Sequence, residues 1–190
     1  MFIDITLKIT PKMIINAQGN EKKTLMGHLG THFDVMNKEF PIEYVERKAI
    51  VFDVRSIIER DINKSDIDLS LVEKDMFVAF YTGFIEDEGY GTKKYFTEHP
   101  QLSNELIDSL LEKGISMIGV DFAGIRRGTE HTPKDQYCAD RKVFIIENLC
   151  NLGKLLAAQK NVEFIANTYP VNYAEMTGLP CRVVAKLHSA

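Results

Sequence analysis

The sequence has no tryptophan and only three cysteines among its 190 residues. Cys138, Cys150 and Cys181 are odd in number and widely spaced, so they form neither a CxxC pair nor a disulfide framework. Reduced thiols are the expected state. The first residues lack the basic segment and long apolar run of a secretory signal, and no apolar run is long enough to cross a bilayer. We therefore expect a cytoplasmic protein that has no membrane partner.

Basic segments are missing too. The chain has 27 acidic and 23 basic side chains, a formal net charge of -4, and no block of lysines and arginines. We therefore expect no nucleic-acid partner. Hydrophobic residues make up 45% and charged residues 26%, as in ordinary globular proteins, and the length suits one domain spanning residues 1–190.

The motifs of several large enzyme classes are absent as well. The chain contains no GxSxG elbow, no P-loop, and no GxGxxG motif following a strand. None of the three cysteines has an evident nucleophile setting, and we expect them to be small buried hydrophobes. Any chemistry must therefore come from other polar side chains.

One polar stretch, His-Leu-Gly-Thr-His-Phe-Asp from His28 to Asp34, is the best candidate. Gly30 and Thr31 disfavour a helix, so we expect an extended backbone with alternate residues on one side. His32 and Asp34 would then lie about 7 Å apart at Cα, whereas His28 would lie about 13 Å from His32 on a straight strand. A shared metal ion therefore requires a bend near Gly30. The alternative is a hydrogen-bonded polar cluster at a strand end.

Apolar patterning predicts a single α/β domain. Strands are predicted at residues 2–9, 49–54, 76–81, 115–121, 143–146, 162–166 and 182–187. Helices are predicted at residues 66–74, 103–113 and 149–159, the second beginning after Ser103 and ending at Gly114. Polar segments predict loops at residues 16–23, 86–94 and 124–140. Helix 103–113 and its flanking strands form a predicted β-α-β unit.

With these residues in view, the chain resembles the putative cyclase family, which includes bacterial kynurenine formamidases and related metal-dependent hydrolases. The resemblance covers most of the chain. It rests on His28-x-Gly30-Thr31-His32-x-Asp34, Thr82-Gly83, His99-Pro100-x-Leu102-Ser103, Ile118-Gly119-Val120-Asp121, Ile146-Glu147-Asn148-Leu149 and Pro180-x-Arg182-Val183-Val184-Ala185. The resemblance implies a swivelling β/β/α fold with a mixed sheet, a homo-oligomer (dimer or tetramer), a bound divalent metal and a small-molecule substrate.

The resemblance also implies a set of metal ligands drawn from separated segments. They are His28, His32, Asp34, Asp135 and Glu147. Asp135 stands where the family normally has a histidine, twelve residues before the glutamate. His131, four residues earlier, is an alternative ligand. Two imidazoles and three carboxylates would form an oxygen-rich shell that favours manganese, with zinc as the other candidate.

The family's signature continues to a histidine assigned to catalysis, and this chain has Lys38 there. The usual proline two residues after the aspartate is Met36. A lysine normally stays protonated to about pH 10.4, so Lys38 could act as a fixed cation, or as a base if burial lowered its pKa. An exposed lysine on a solvated face is an equal alternative. Glu39 could be the general base if Lys38 points elsewhere.

We therefore predict a metal-dependent hydrolase of a small amide, formamide or cyclic amide, which uses metal-activated water with Lys38 or Glu39 assisting proton transfer. The alternative is a non-catalytic, metal-dependent small-molecule binding protein of the same fold, motivated by the missing histidine at position 38. A purely structural oligomerisation domain is a third reading, and it predicts no stoichiometric metal.

Overall fold

A computed structural model describes residues 1–187 and arranges them around one mixed sheet of eight strands. The strands are β1 (Phe2–Asp4), β2 (His32–Asp34), β3 (Glu46–Asp53), β4 (Phe77–Tyr81), β5 (Met117–Val120), β6 (Phe144–Glu147), β7 (Asn161–Pro170) and β8 (Gly178–Lys186). The helices are α1 (Pro11–Ala17), α2 (Glu21–Thr24), α3 (Phe84–Glu88), α4 (Lys93–Thr97), α5 (Asn104–Glu112), α6 (His131–Ala139) and α7 (Leu152–Leu156). Among these residues, no helix has the length and apolar character needed to cross a membrane.

The sheet runs in the order β1-β8-β2-β6-β5-β4-β3-β7, and β7 pairs again with β8. Strands β3 to β6 are parallel to one another, whereas β1, β2, β7 and β8 pair antiparallel with their neighbours. The predicted α/β fold with a mixed sheet is therefore confirmed. The assignment of residues 1–190 to one domain stays a prediction.

The central strands are buried on both faces, as their continuous apolar runs predict. Along β4, Phe77 and Ala79 join one apolar cluster, while Val78 and Phe80 join the cluster on the opposite face. This alternation follows from the two-residue period of a strand. The first cluster includes side chains of α7 and the second includes side chains of α5, so each face of the sheet is covered.

Helix α5 matches its sequence-based prediction. The Ser103 side chain caps its first turn by accepting a hydrogen bond from the backbone N–H of Leu106. Gly114 follows its end with a φ of +69°, a conformation that favours glycine. Because α5 connects the parallel strands β4 and β5, the predicted β-α-β unit is confirmed.

Other boundaries differ from the predictions. Residues 66–74 are not an α-helix but include the short 3-10 turn Leu69–Leu71, where the Asp68 side chain accepts the backbone N–H of Ser70. Such local bonds compete with helix formation. The predicted strand 2–9 is only three residues long as β1, and the predicted helix 149–159 shortens to α7 because Ala157 adopts a φ of +43°.

Three segments predicted as loops contain short helices. Helices α1 and α2 overlap residues 16–23, α3 and α4 overlap residues 86–94, and α6 lies within residues 124–140. These helices are too short or too polar for a clear apolar period. Side chains initiate three of them, since Thr10 accepts the N–H of Met13, Asn20 accepts that of Lys23 and Thr92 accepts that of Tyr95.

Candidate metal centre

Six buried or nearly buried polar side chains converge where strands β2 and β6 meet the start of α6. They are His28, His32, Asp34, His131, Asp135 and Glu147. Strand β2 lies antiparallel between β6 and β8, and its His32 stands directly opposite Glu147. Directly opposed side chains in an antiparallel pair are close neighbours, so the strand register brings together residues 115 positions apart in the chain.

The segment before β2 bends as a shared site requires. Gly30 has a φ of +74°. The chain therefore bends between His28 and His32, and their side chains are in contact, whereas a straight strand would keep them apart. The Nδ1 atom of His28 lies 3.0 Å from Nε2 of His32 and 3.1 Å from Oδ1 of Asp34. Nε2 of His32 lies 3.6 Å from both Asp34 Oδ1 and Glu147 Oε2.

A second group of ligand atoms adjoins the first. Nε2 of His131 lies 3.1 Å from Oδ2 of Asp135 and 3.0 Å from Oε1 of Glu147. His131 and Asp135 are four residues apart on α6 and therefore share a face. Their ligand atoms and those of Asp34 and Glu147 all lie within 4.8 Å of one another. The structure thus places both of the alternative ligands, His131 and Asp135, in the cluster, and Asp34 belongs to both groups.

The donor set fits a divalent cation. Several of its buried atoms lie close to one another but make no hydrogen bond of normal geometry among the described residues: both carboxylate oxygens of Asp34, Asp135 Oδ1, Glu147 Oε1 and His131 Nε2. Buried polar atoms are normally paired, and three adjacent carboxylates repel one another. One cation would satisfy these atoms and offset the repulsion. Because His131 adds a third imidazole, the shell is less oxygen-rich than the five-ligand prediction, and it suits zinc as well as manganese.

The comparison with known families agrees with this site. Residues 3–126, more than half of the chain, match the model of the family described as "Putative cyclase". The chain belongs to the putative cyclase family. No curated protein sequence matches it.

Solved structures share the fold of this chain. One, described as a potential metal-dependent hydrolase with cyclase activity, has a TM-score of 0.74 at 22% identity over 97% of this chain and 96% of its own. A predicted metal-dependent hydrolase from Bacillus stearothermophilus has a TM-score of 0.72 at 20% identity over 97% of both chains. Isatin hydrolase A from Labrenzia aggregata has a TM-score of 0.73 at 17% identity, covering 97% of this chain and 93% of its own. These likenesses establish the fold.

Hydrogen bonds orient the imidazoles of β2 and its preceding segment. Nδ1 of His32 donates to the carbonyl oxygen of Gly30 at 2.8 Å, which leaves the lone pair on Nε2 directed into the cluster. His28 contacts the hydroxyl of Thr177 through Nε2 at 2.8 Å and faces the cluster with Nδ1. Such outer contacts fix the ring orientation and tautomer of metal-binding histidines.

A buried pair of side chains supports the same carbonyl. Nδ2 of Asn148 donates to Gly30 O at 2.8 Å, and the hydroxyl of Tyr95 donates to Asn148 Oδ1 at 2.8 Å. Sequence analysis gave neither residue a role. The match at Ile146-Glu147-Asn148-Leu149 was the available signal for Asn148, whereas nothing in the sequence singled out Tyr95.

Two glycines make room for the imidazoles of this putative cyclase. A Cβ atom on Gly178 would lie 2.8 Å from Cδ2 of His28, and one on Gly124 would lie 2.6 Å from Cε1 of His131. Both distances are shorter than a carbon–carbon contact allows. Neither glycine was recognised in the sequence, because no local pattern marks either approach, and Gly178 and His28 are far apart in the chain.

The cluster is strongly coupled electrostatically. Burial lowers the pKa of His32, but the Asp34 and Glu147 carboxylates outweigh it and raise that pKa to about 9. Burial likewise opposes protonation of His131, yet Asp135 and Glu147 raise its pKa to about 11. Burial and the charge of Asp34 raise the pKa of Asp135 to about 7. Protons therefore occupy the metal-free cluster at neutral pH, and a metal ion must displace them.

Lys38 and Glu39 lie outside the cluster. Both side chains are exposed, and the Lys38 ammonium is 2.7 Å from Oδ1 of Asp140, itself on the surface. Met36, where the family usually has proline, adopts a φ of +57° that a proline ring forbids. The chain turns away from β2 at this residue, so the structure brings neither predicted catalytic side chain to the ligands.

Proposed function

We propose that this protein is a metal-dependent hydrolase acting on a small amide, formamide or cyclic amide. The observation that carries the proposal is the buried cluster of six side chains that could ligate a metal, in which several carboxylate oxygens make no hydrogen bond among the described residues. Neighbours of the same fold support it, since two are named metal-dependent hydrolases and others isatin hydrolases. Isatin is a cyclic amide, which favours cleavage of a C–N bond.

Each part of the cluster has a distinct task in this proposal. When bound, a manganese or zinc ion supplies Lewis acidity and lowers the pKa of water toward about 7. His28 and His32 present fixed lone pairs, while Asp34 offers carboxylate oxygens to both ligand groups. Asp135 and Glu147 bring further negative charge, which offsets the charge of the cation. A proton-transfer role of Lys38 or Glu39 is not part of this proposal, because both side chains are exposed and Lys38 pairs with Asp140 on the surface.

The test is reconstitution of the purified chain. Protein stripped of metal and reloaded with manganese or zinc is assayed on formylated anilines and on cyclic amides, including isatin. We expect turnover that requires the metal and disappears in His32→Ala. Stoichiometric metal with no turnover on either substrate class would contradict the hydrolase proposal.

That outcome would favour the alternative, a metal-dependent binding protein without catalysis. The observation behind this alternative concerns Lys38, which stands where the family's signature has a catalytic histidine. Its side chain pairs with Asp140 on the surface, so it supplies no catalytic group to the cluster. Absence of bound metal in elemental analysis would favour the purely structural reading instead.

We also propose a cytoplasmic homo-oligomer. Exposed apolar side chains on α1 and around the β7–β8 turn support self-association, among them Ile14, Ile15, Tyr169 and Tyr173. Light scattering on the eluting protein should give a dimer or tetramer mass. A monomer at micromolar concentration would contradict this part of the proposal.

A further inference from the structure

A cavity of about 350 Å³ lies between α1, α2 and residues 90–92, which lead into α4, and none of the six candidate ligands lines it. Its size falls within the range of small-molecule sites. The lining includes Lys12, Asn16, Lys23, Leu29, Tyr90 and Thr92. We call it the lysine cavity.

The lysine cavity is positively charged in a chain of net negative charge. Lys12 and Lys23 line it, and no carboxylate does. Within residues 1–187, the lysines in ion pairs are Lys38, Lys48, Lys64 and Lys94. Lys12 and Lys23 therefore have no acidic partner in the described part of the chain.

Lys23 lies in an environment that favours an anionic partner. Its ammonium is 3.8 Å from the ring centroid of Phe96 and 5.8 Å from that of Tyr90. Burial lowers its pKa, because the surroundings replace part of its hydration without supplying a countercharge. The Thr92 hydroxyl accepts the N–H of Tyr95 and keeps its own hydrogen free to donate. Two cations and a hydroxyl donor are suited to a carboxylate.

The lysine cavity adjoins the metal-binding segment. Leu29 lines it and lies between His28 and Gly30. The hydroxyl of Tyr90, another lining residue, accepts the backbone N–H of Gly30 at 3.0 Å. The carbonyl of the same Gly30 holds His32. A ligand in the cavity would therefore contact the segment that positions His28 and His32, two of the candidate metal ligands.

We propose that the lysine cavity binds the carboxylate of an acidic aromatic small molecule, with Lys12 and Lys23 pairing with the carboxylate and Tyr90 packing against the ring. If the proposed hydrolase function holds, this molecule is the substrate. The substrate is then an amide that carries an acidic group. Binding of the anion does not depend on hydrolysis.

The binding test uses the zinc-loaded full-length protein. Benzoate and its neutral analogue benzamide are the probes, and NMR titration measures their affinities. Lys23→Gln removes the half-buried cation, and Lys22→Gln is its matched control, since Lys22 is the exposed neighbour with the same charge. We expect Lys23→Gln to weaken benzoate binding about tenfold, as loss of one partner of a partly buried charge pair does. Lys22→Gln should leave it within about twofold. Unchanged zinc content and melting temperature establish that the variants fold.

Two outcomes would overturn the proposal: equal benzoate affinity in the two variants, or benzamide binding as tightly as benzoate. If Lys23→Gln does not fold, Lys12→Gln at the exposed end of the cavity replaces it, with an expected loss of about threefold.

A kinetic comparison separates this inference from the proposed hydrolysis. The substrates are formanilide and the same compound with a carboxylate on its ring. A preference for the acidic substrate that Lys23→Gln removes supports both proposals. Equal turnover of the two substrates contradicts the acidic specificity but leaves the hydrolase standing. If neither substrate is turned over but benzoate binding still depends on Lys23, the hydrolase proposal is contradicted and the anion-binding proposal is supported.

Discussion

Asp34 is the described side chain with both carboxylate oxygens buried and without a hydrogen-bond partner. It contacts His28 and His32 on one side, and its charge raises the pKa of Asp135 on the other. At the scale of single residues, Asp34 therefore joins the two halves of the site.

We expect Asp34→Asn to reduce affinity for manganese and zinc by about 100-fold or more, because the amide removes the charge shared by both ligand groups. Calorimetric titration of the metal-free protein measures the effect. Asp140→Asn, the same change at an exposed carboxylate, is the control and should bind metal normally. Similar affinities in the two variants would exclude Asp34 as a ligand.

We expect Tyr95→Phe to weaken metal binding about tenfold, because the lost hydroxyl frees Asn148 and loosens the Gly30 carbonyl that orients His32. Removing this hydrogen bond should also cost about 1 kcal/mol of stability. Tyr44→Phe is the control, since its hydroxyl donates to Lys142 O outside the cluster. If both variants lose stability but neither loses metal affinity, the Tyr95–Asn148 pair has only a structural role.

At the scale of elements, β2 has only three residues yet determines the site, because it pairs with β6 on one side and β8 on the other. Its end at the left-handed Met36 then directs residues 37–39 to the surface. Sequence reasoning found the candidate ligands on β2, and it assigned Lys38 to the site from its place in the family's signature. Because the backbone turns at Met36, Lys38 occupies the signature position of the catalytic histidine without lying near the cluster.

We expect Lys38→Ala to change kcat less than about twofold, because its ammonium pairs with Asp140 on the surface and surface pairs contribute little. Lys48→Ala, which breaks the exposed pair with Glu73, is the matched control. Steady-state kinetics of the metal-loaded variants measures the effect. A tenfold loss of kcat in Lys38→Ala alone would support its assignment to catalysis.

At the scale of the whole molecule, the cluster is buried within the closed sheet, and its protonation changes the free energy of unfolding of the protein. In the metal-free protein, His32 has a folded pKa of about 9 and His131 one of about 11, both above the ordinary value of 6.5. The folded state then binds more protons than the unfolded state above pH 7, so its stability decreases as pH rises. The lowered pKa values of His28 and His99 act mainly below pH 7, outside this window.

We therefore expect the metal-free protein to lose unfolding free energy between pH 7.5 and 9, at up to about 1.4 kcal/mol per pH unit for each extra proton. Urea denaturation at several pH values measures the slope. With saturating zinc this slope should largely disappear, because the bound ligands carry no protons and the same histidines are already deprotonated in the unfolded chain above pH 7.5. A metal-free stability that rises over this range would contradict the coupled protonation of the cluster.

The sequence by itself determined the features that depend on neighbouring residues. Apolar period and capping predicted α5 and the central strands, and a motif of closely spaced residues identified His28, His32 and Asp34. Short polar helices such as α6 were missed, since their residues carry no periodic apolar signal.

Only the tertiary structure decided which distant residues meet. The register of β2 against β6 places Glu147 opposite His32, the start of α6 adds His131 beside Asp135, and the turn at Met36 takes Lys38 away. These outcomes depend on strand pairing and packing between segments far apart in the chain, and local spacing does not encode them.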